Sequence, residues 1–441
     1  MKNLKYTGAF AAVAVTALTF ATPALAEDAK VTETAYIFNS LSFLIHGFMV
    51  MLMAAGFAML EAGMVRTKNV ATMCVKNIAL YSIAGILYYA VGYNLMYQGV
   101  DGGFMGTFAP WGIDDSAMAK GDFSGNYSAS SDWFFQMVFV ATAASIVSGT
   151  VAERIKLWPF LAFVVVLTGV IYPIQGSWQW GGGWLSEMGF ADFAGSTLVH
   201  STGGWAALTG AIILGARKGK FTKSGGVHPM PGSSLPLATL GTFILWFGWF
   251  GFNGGSQLAM GSASDIAAIA NIYINTNIAA AGGVVAAMIA TQLIYKKVDL
   301  TMALNGALAG LVSITAGPDT PTLGSALVIG GIGGLIVVFA VPMLDRLKID
   351  DVVGAIPVHL CAGIWGTLAV PLTNPGAHLM TQLAGILAVG AFMFFASLIV
   401  WFIIDRLFGV RVSEEEEFEG MDKVELGLEA YPEFGQGSQK I

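Results

Sequence analysis

Apolar runs of about 20 residues or more recur along the chain, and Gly and Pro punctuate most of the gaps between them. A membrane-spanning helix needs about 20 mostly apolar residues. The pattern predicts eleven such helices, over 36–62, 71–97, 132–152, 157–177, 192–215, 235–257, 264–294, 301–317, 323–344, 352–373 and 379–408. The stretch over 1–26 has a different pattern. Lys2 and Lys5 precede a short apolar core, and Ala24-Leu25-Ala26 follows it. This is the pattern of a signal peptide cleaved before Glu27, with an uncleaved first membrane helix as the alternative. Cleavage leaves the mature N-terminus outside the cytoplasm. The chain then divides into a leader over 1–26, a membrane region over 27–411 and a cytoplasmic tail over 412–441.

Lysine and arginine test this count. With the mature N-terminus outside, the inner loops hold Arg66 and Lys68, Arg154 and Lys156, Arg217, Lys218, Lys220 and Lys223, Lys296 and Lys297, and Arg346 and Lys348. The outer loops hold only Lys120. That bias is the one the positive-inside rule describes, and it puts the C-terminus in the cytoplasm.

Composition agrees with a membrane protein. The chain has 441 residues, 55% hydrophobic and 11% charged, where a soluble domain carries about 25% charged residues. Mean hydropathy is +0.69. A net charge of −7 gives no reason to expect nucleic acid as a partner. Cys74 and Cys361 both fall in apolar segments and are expected to be small buried residues, without a disulfide or metal role. Glycine is abundant, at 56 residues, and runs such as "GGIGG" (330–334) and "GALAG" (306–310) place small residues four apart. In membranes this spacing lets helix backbones approach closely.

One frame occurs twice. "DFAGSTLVHSTGG" (192–204) and "DVVGAIPVHLCAG" (351–363) share Asp, Gly, Val, His and Gly at the same offsets. The copies fall in the fifth and tenth predicted helices. The second copy comes five helices after the first, so the two run in opposite directions across the membrane. This predicts an inverted repeat of five plus five helices, with a site between the halves near the bilayer midplane. Each histidine lies eight residues past its aspartate, about 12 Å along a helix. His200 and His359 then reach the middle of a core about 30 Å thick from opposite sides. A single intramembrane histidine serves as helix-to-helix glue as readily as it marks a pathway, and the matched pair favours the pathway. Two neutral imidazoles can share a proton and still offer donor or acceptor groups to a small polar guest. Without carboxylate or thiol they make a poor zinc site, so no metal and no cofactor are expected.

Asp192 and Asp351 start their helices, where a carboxylate accepts backbone N–H groups. Only Asp192 faces outside, where it could also attract a cation. His46 is expected to be packed or hydrogen-bonded, and His228 and His378 to lie in solvated loops. "DWFFQMVF" (132–139), "SWQWGGGW" (177–184) and "LWFGWFGFNGGS" (245–256) gather aromatic residues on the outer side. Phe135 and Phe139 share a helix face. Two readings fit these clusters: an interfacial aromatic belt, or rings that attract a desolvated cation.

At this point the chain resembles the ammonium transporter family, the Amt/Mep/Rh proteins, over roughly residues 36 to 431. The likeness rests on "GFAMLEAGMVRTKNV" (56–70), "SGTVAERIK" (148–156), "DFAGSTLVH" (192–200), "LGTFILWFGWFGFNGGS" (240–256) and "GAIPVHLCAGIWG" (354–366). The resemblance implies a homotrimer in the cell membrane, a bacterial inner membrane, with a pore in each subunit and lipid around it. It implies that His200 and His359 are the twin histidines of that pore, with Trp249 in its wall. Phe139 and Phe252 match the stacked gate. Phe135, Trp180 and Ser256 match the outer ammonium recruitment site, and Asp192 matches the acidic residue that organises the entrance. The presence of these aromatics implies the Amt branch. The tail "SEEEEFEGMDKVELGLEAY" (413–431) resembles the family's regulatory tail but has Met421 and Leu426 where leucine and histidine are usual. The charge run Glu414–Glu417 read alone is a solvated linker. A PII-type nitrogen-signalling protein is the implied partner of the cytoplasmic face.

The implied function is transport of ammonium or ammonia, with methylammonium as an analogue. Ammonium donates hydrogen bonds that Ser256 and backbone carbonyls accept, and potassium does not. An intact cation pays a large desolvation cost in an apolar pore. Deprotonation near the gate, with ammonia passing the imidazoles, avoids it. A separate proton route through His200 and His359 gives net ammonium uptake; without one, conduction is neutral. The alternative is an ammonium sensor that signals through the tail. No nucleophile–base set is present, so an enzyme is not expected.

Overall fold

The structure, a computed structural model, describes residues 31–112 and 114–433. The leader expected over 1–26 lies outside these residues, as do residues 434–441 of the tail. Among the described residues the chain is helical, with only the isolated bridges Ile155–Arg411 and Phe221–Val227 in extended pairing. Among the described residues nine helices are long and apolar enough to cross a membrane. They are α1 (Glu33–Met64), α2 (Thr67–Tyr97), α3 (Ala129–Thr150), α4 (Leu157–Ser177), α5 (Ser196–Leu214), α6 (Leu235–Gly255), α7 (Ala263–Tyr295), α9 (Leu323–Arg346) and α11 (Leu379–Phe408). Two further apolar helices, α8 (Leu300–Ile314) and α10 (Ile356–Leu372), are shorter.

Each of these eleven helices falls at a predicted position, but α5 and α10 each begin four residues later than the sequence pattern predicts. The reason is local. Asp192 and Asp351 do not sit one residue before a helix. Each reaches across a short loop to cap amide groups further on, which moves the helix start to 196 and 356.

The chain packs around α3, whose membrane-length window is 89% buried, against 33% for α11. On one flank α7, α8 and α9 meet at small residues. A Cβ added at Gly330 would collide with the Ala279 carbonyl, and one at Gly334 or Gly306 with the Gly283 backbone. These are the glycines of the two runs noted in the sequence, and they let the backbones touch. Both cysteines depart from expectation. Cys74 is exposed on α2 and Cys361 is half-buried. A membrane helix is apolar on its outward face too, so an apolar segment does not by itself bury its residues.

The basic residues gather at one end of the bundle. There, Arg217 forms paired bonds with Asp350 at 2.8 and 2.9 Å and reaches Glu153 at 3.1 Å. Arg66 bonds Glu153 through its side chain at 2.7 Å, and Arg154 donates to the Asp350 carbonyl at 2.6 Å. The tail is built onto this end. α12 (Glu414–Glu419) is a helix with a capping box from Ser413 and Glu416, and the charge run is therefore no linker. Glu417 is buried and pairs with Arg411 at 2.7 Å. α13 (Met421–Leu426) follows. Asp422 accepts the N–H groups of Ala71 (2.9 Å) and Thr72 (2.8 Å) near the start of α2. Glu425 accepts the Leu157 N–H at the start of α4 at 3.1 Å. Two tail carboxylates thus cap two membrane helices, whose first N–H groups have no partner within the helix.

Asp422→Ala is expected to lower stability by about 1 kcal/mol, the usual cost of a lost cap. A lower melting temperature of the detergent-solubilised protein checks this. The ion cluster gives a pH signature. Burial raises the Glu153 and Asp350 carboxyls, but the guanidinium groups outweigh it and hold both below the usual carboxylate range. Their contribution is therefore complete above the unfolded value of about 4 and is lost as pH falls below it. The wild type should lose melting temperature on acidification through that range. Arg217→Gln should be less stable at pH 7 and lose less on acidification.

Candidate conduction pathway

A cavity of about 450 Å³ opens at the end opposite the basic cluster. Its walls come from the start of α1, the end of α2, the loop between α2 and α3, the start of α3, the loop after α4 and the end of α6. Phe135, Phe139, Trp180 and Ser256 line it together, with Tyr93, Tyr127 and Asp132 beside them. The Phe135 and Phe139 rings are 4.8 Å apart, as residues four apart on one helix face should be. The Trp180 indole is fixed by a 3.1 Å bond to the Asp192 carbonyl and meets Phe139 edge-on at 6.0 Å. The Ser256 hydroxyl donates to the Phe252 carbonyl at 2.9 Å. Its hydrogen is thereby committed, and its two lone pairs are acceptors for a donor in the cavity.

Phe139 and Phe252 close the cavity floor. Their rings stack at 3.9 Å with 20° between planes, and both are buried. Below Phe252 lies His200, 5.2 Å ring to ring, stacked on Trp249 at 4.8 Å. A 2.8 Å bond from the Trp249 indole to Thr315 holds that wall in place. The Nδ1 atoms of His200 and His359 stand 3.2 Å apart. Two facing nitrogens at that distance share one proton. In the neutral pair one ring then presents an acceptor Nε2 and the other a donor Nε2–H. Nε2 of His200 is buried and has no protein partner. Below His359, at 6.1 Å ring to ring, lies Phe57, and a cavity of about 10 Å³ follows, lined by Glu61, Ser145, Asn305 and His359. Asn305 and Val353 also line a vestibule of about 350 Å³ at the basic end.

The repeated frame builds this meeting point. Asp192 accepts four backbone N–H groups, from Gly195, Ser196, Thr197 and Leu198, at 2.8 to 3.0 Å. Asp351 accepts those of Gly354 and Ile356, and the Thr150 hydroxyl. Gly195 and Gly354 turn the chain at φ +106 and +80, where a side chain is strained. Each helix then opens on a π turn, Ser196–Ser201 and Ile356–Cys361, that carries its histidine. π turns widen the backbone spiral and recur at functional sites. The two helices cross antiparallel. Thr197 meets Thr367 at 2.7 Å, and Gly204 lies against Leu360. The last glycine of each copy is the close contact: a Cβ on Gly204 would come within 2.7 Å of Leu360, and one on Gly363 within 2.5 Å of the Ser196 carbonyl.

The structure brings Phe135, Phe139, Trp180, Ser256, Phe252, Trp249, His200 and His359 into one file. Asp192 is 2% exposed, lies behind Trp180 and is absent from the cavity lining. His46 is buried and bonded to Tyr273 at 2.8 Å and to Ser42. Sequence reasoning missed Asp132, which accepts the Tyr93 hydroxyl at 2.5 Å on the cavity wall, and it missed Glu61. Both lay inside stretches already quoted for other residues. The available signal was an ionisable group within a membrane-length apolar helix.

The sequence pattern of the Ammonium Transporter Family matches residues 41–431. The chain belongs to this family. The ammonium transporter Amt2 of Archaeoglobus fulgidus is 42% identical over 425 residues, 89% of this chain and 87% of its own length. The ammonium transporter of Bacillus subtilis is 33% identical over 399 residues, 87% and 96% of the two chains. Among solved structures, a Sensor Amt Protein superposes with a TM-score of 0.83 at 36% identity, covering 89% of this chain and 99% of its own. The crystal structure of Candida albicans Mep2 gives 0.78 at 27% identity, covering 88% and 89%. As a member of the Ammonium Transporter Family with many apolar helices, the chain is a multi-pass membrane protein.

The close crossing is testable in this family member. Gly204→Ala should cost about 1 to 3 kcal/mol through overpacking against Leu360. Gly112→Ala, where an added Cβ meets nothing within 4 Å, should be neutral. Melting temperatures of the two variants check the difference.

Proposed function

We propose that the protein carries ammonium across the cell membrane by separating it into ammonia and a proton. The observation that carries this reading is the single buried file from the Phe139–Phe252 stack to the His200–His359 pair. Ammonium binds first in the aromatic cavity. The acceptor lone pairs of Ser256 and nearby carbonyls take its hydrogen bonds, while Phe135 and Trp180 replace lost water. Each aromatic face contributes up to about 2 kcal/mol to a desolvated cation. Asp192 acts indirectly, by capping the loop whose carbonyl holds Trp180. A cation cannot pass the stacked rings and the apolar file below them without a large desolvation cost. Ammonia can, and it finds a donor and an acceptor at the imidazole pair. The proton moves separately, so that net ammonium is taken up. Potassium binds less well because it donates no hydrogen bond, and it cannot shed a proton.

In this reading α1 to α11 are eleven membrane passes in an inverted five-plus-five repeat. The frame residues at 192–204 and 351–363 are its matched halves, and the antiparallel crossing of α5 and α10 supports it. The basic end faces the cytoplasm, by the positive-inside bias. A leader over 1–26 is removed, the assembly is a trimer with one pore per subunit, and the host membrane is a bacterial inner membrane. The tail is regulatory, and a PII-type protein docks at the basic end. The caps that Asp422 and Glu425 place on α2 and α4 support a tail that acts on the helices.

An ammonium jump on proteoliposomes, with current and internal pH recorded, tests the function. The wild type should give a current that His200→Ala alters or abolishes. An internal pH rise without current would leave neutral ammonia conduction. No response beyond empty liposomes would reject transport and favour an ammonium sensor.

A further inference from the structure

Charged side chains inside a membrane helix are costly and usually functional. Glu61 on α1 and Lys76 on α2 are 1% and 0% exposed. They do not form a direct ion pair with each other. The Lys76 ammonium donates to the Ser148 carbonyl at 2.9 Å and lies 4.4 Å from the Phe160 ring centre. Oε2 of Glu61 accepts from Asn77 and from the Ser148 hydroxyl, both at 2.8 Å. Oε1 is buried and has no protein partner. A side chain kept only for helix packing has no use for an unpartnered carboxylate oxygen, whose burial costs free energy.

Glu61 lines the same small cavity as His359, one helical turn beyond Phe57. The cavity, at about 10 Å³, is about the size that admits one water. Asn305 and Val353 connect its wall to the basic-end vestibule. A carboxylate therefore stands between the histidine pair and the wide opening. Lys76 is held nearby through Ser148, so a carboxylate there has a counter-charge.

We propose that Glu61 is the proton acceptor on the vestibule side of the histidine pair. This rests on the reading that ammonia and proton part company above it. The proton released from ammonium adds to an imidazole nitrogen of the pair. The imidazolium gives it up, across the small cavity, to Oε1 of Glu61. The carboxylic acid then releases it to the vestibule and returns to the carboxylate. One proton crosses, and no other bond is made or broken. Lys76 stays protonated throughout and lowers the cost of the ionised carboxylate. Glu61 does not touch the gate or the outer site, so its role is separable from ammonium recruitment.

The test is the charge moved per labelled ammonium taken up, measured on the full chain in proteoliposomes. Glu61→Gln keeps the shape and an acceptor oxygen but cannot carry the proton. The ratio should fall by about 100-fold, the low end for a lost proton-transfer group. Glu61→Asp should recover part of it. Equal loss of charge and substrate in Glu61→Gln, or no change in either, overturns the proposal, since a structural role moves both together. If Glu61→Gln does not accumulate, Ser145→Val carries the test. It narrows the small cavity without touching the Glu61 hydrogen bonds and should lower the same ratio; an unchanged ratio overturns the relay. A wild type that moves ammonium with no charge also overturns it. A wild type that moves neither fails at the transport reading beneath.

Discussion

An unpaired charge in a low-dielectric interior costs several kcal/mol even after relaxation, and this one term organises the molecule. The proposed passage of a cation's nitrogen through such an interior requires that the charge be solvated all the way or removed. Here the solvating groups stop at the Phe139–Phe252 stack. Above it stand a hydroxyl acceptor, aromatic faces and a buried carboxylate. Below it lie rings and two imidazoles that satisfy each other across 3.2 Å. The file suits a small neutral molecule with one lone pair and a few N–H groups.

The same constraint explains the scaffold. Each histidine must sit at depth without dragging charged groups into the apolar layer. The two aspartates solve this by spending their carboxylates on backbone N–H groups, so the helix starts they organise are satisfied. The π turns then aim the imidazoles at one another, and the terminal glycines let the helices approach closely enough for contact. At the basic end the opposite solution appears. Arg217, Glu153 and Asp350 are buried, Arg66 is half-buried, and each is paired. Even the tail joins this arrangement, with carboxylates that complete two helix ends.

Much of this was legible in the sequence because membrane helices advertise themselves by length. The eleven apolar segments, the paired histidines and the aromatic clusters all stand out against an apolar background. Boundaries were less legible. Asp192 and Asp351 looked like first residues of helices, because a cap across a glycine turn leaves the same pattern as a cap beside the helix. Cys74 was misjudged because hydropathy does not distinguish a face turned inward from one turned outward. The Glu414–Glu417 run reads as solvated until Arg411 and the Lys218 backbone are seen to meet Glu417. Asp132 and Glu61 were hidden by their more conspicuous neighbours, although a lone acid in an apolar run is itself a signal.

The central claim is that the pore rejects any cation that cannot lose a proton. Tracer uptake of methylammonium and of potassium, side by side in the same proteoliposomes, tests it most directly. Methylammonium should enter well above the level of empty liposomes, and potassium should not exceed that level at any concentration tried. Potassium entry at a comparable rate would mean that the intact cation crosses the gate, and the account would be wrong.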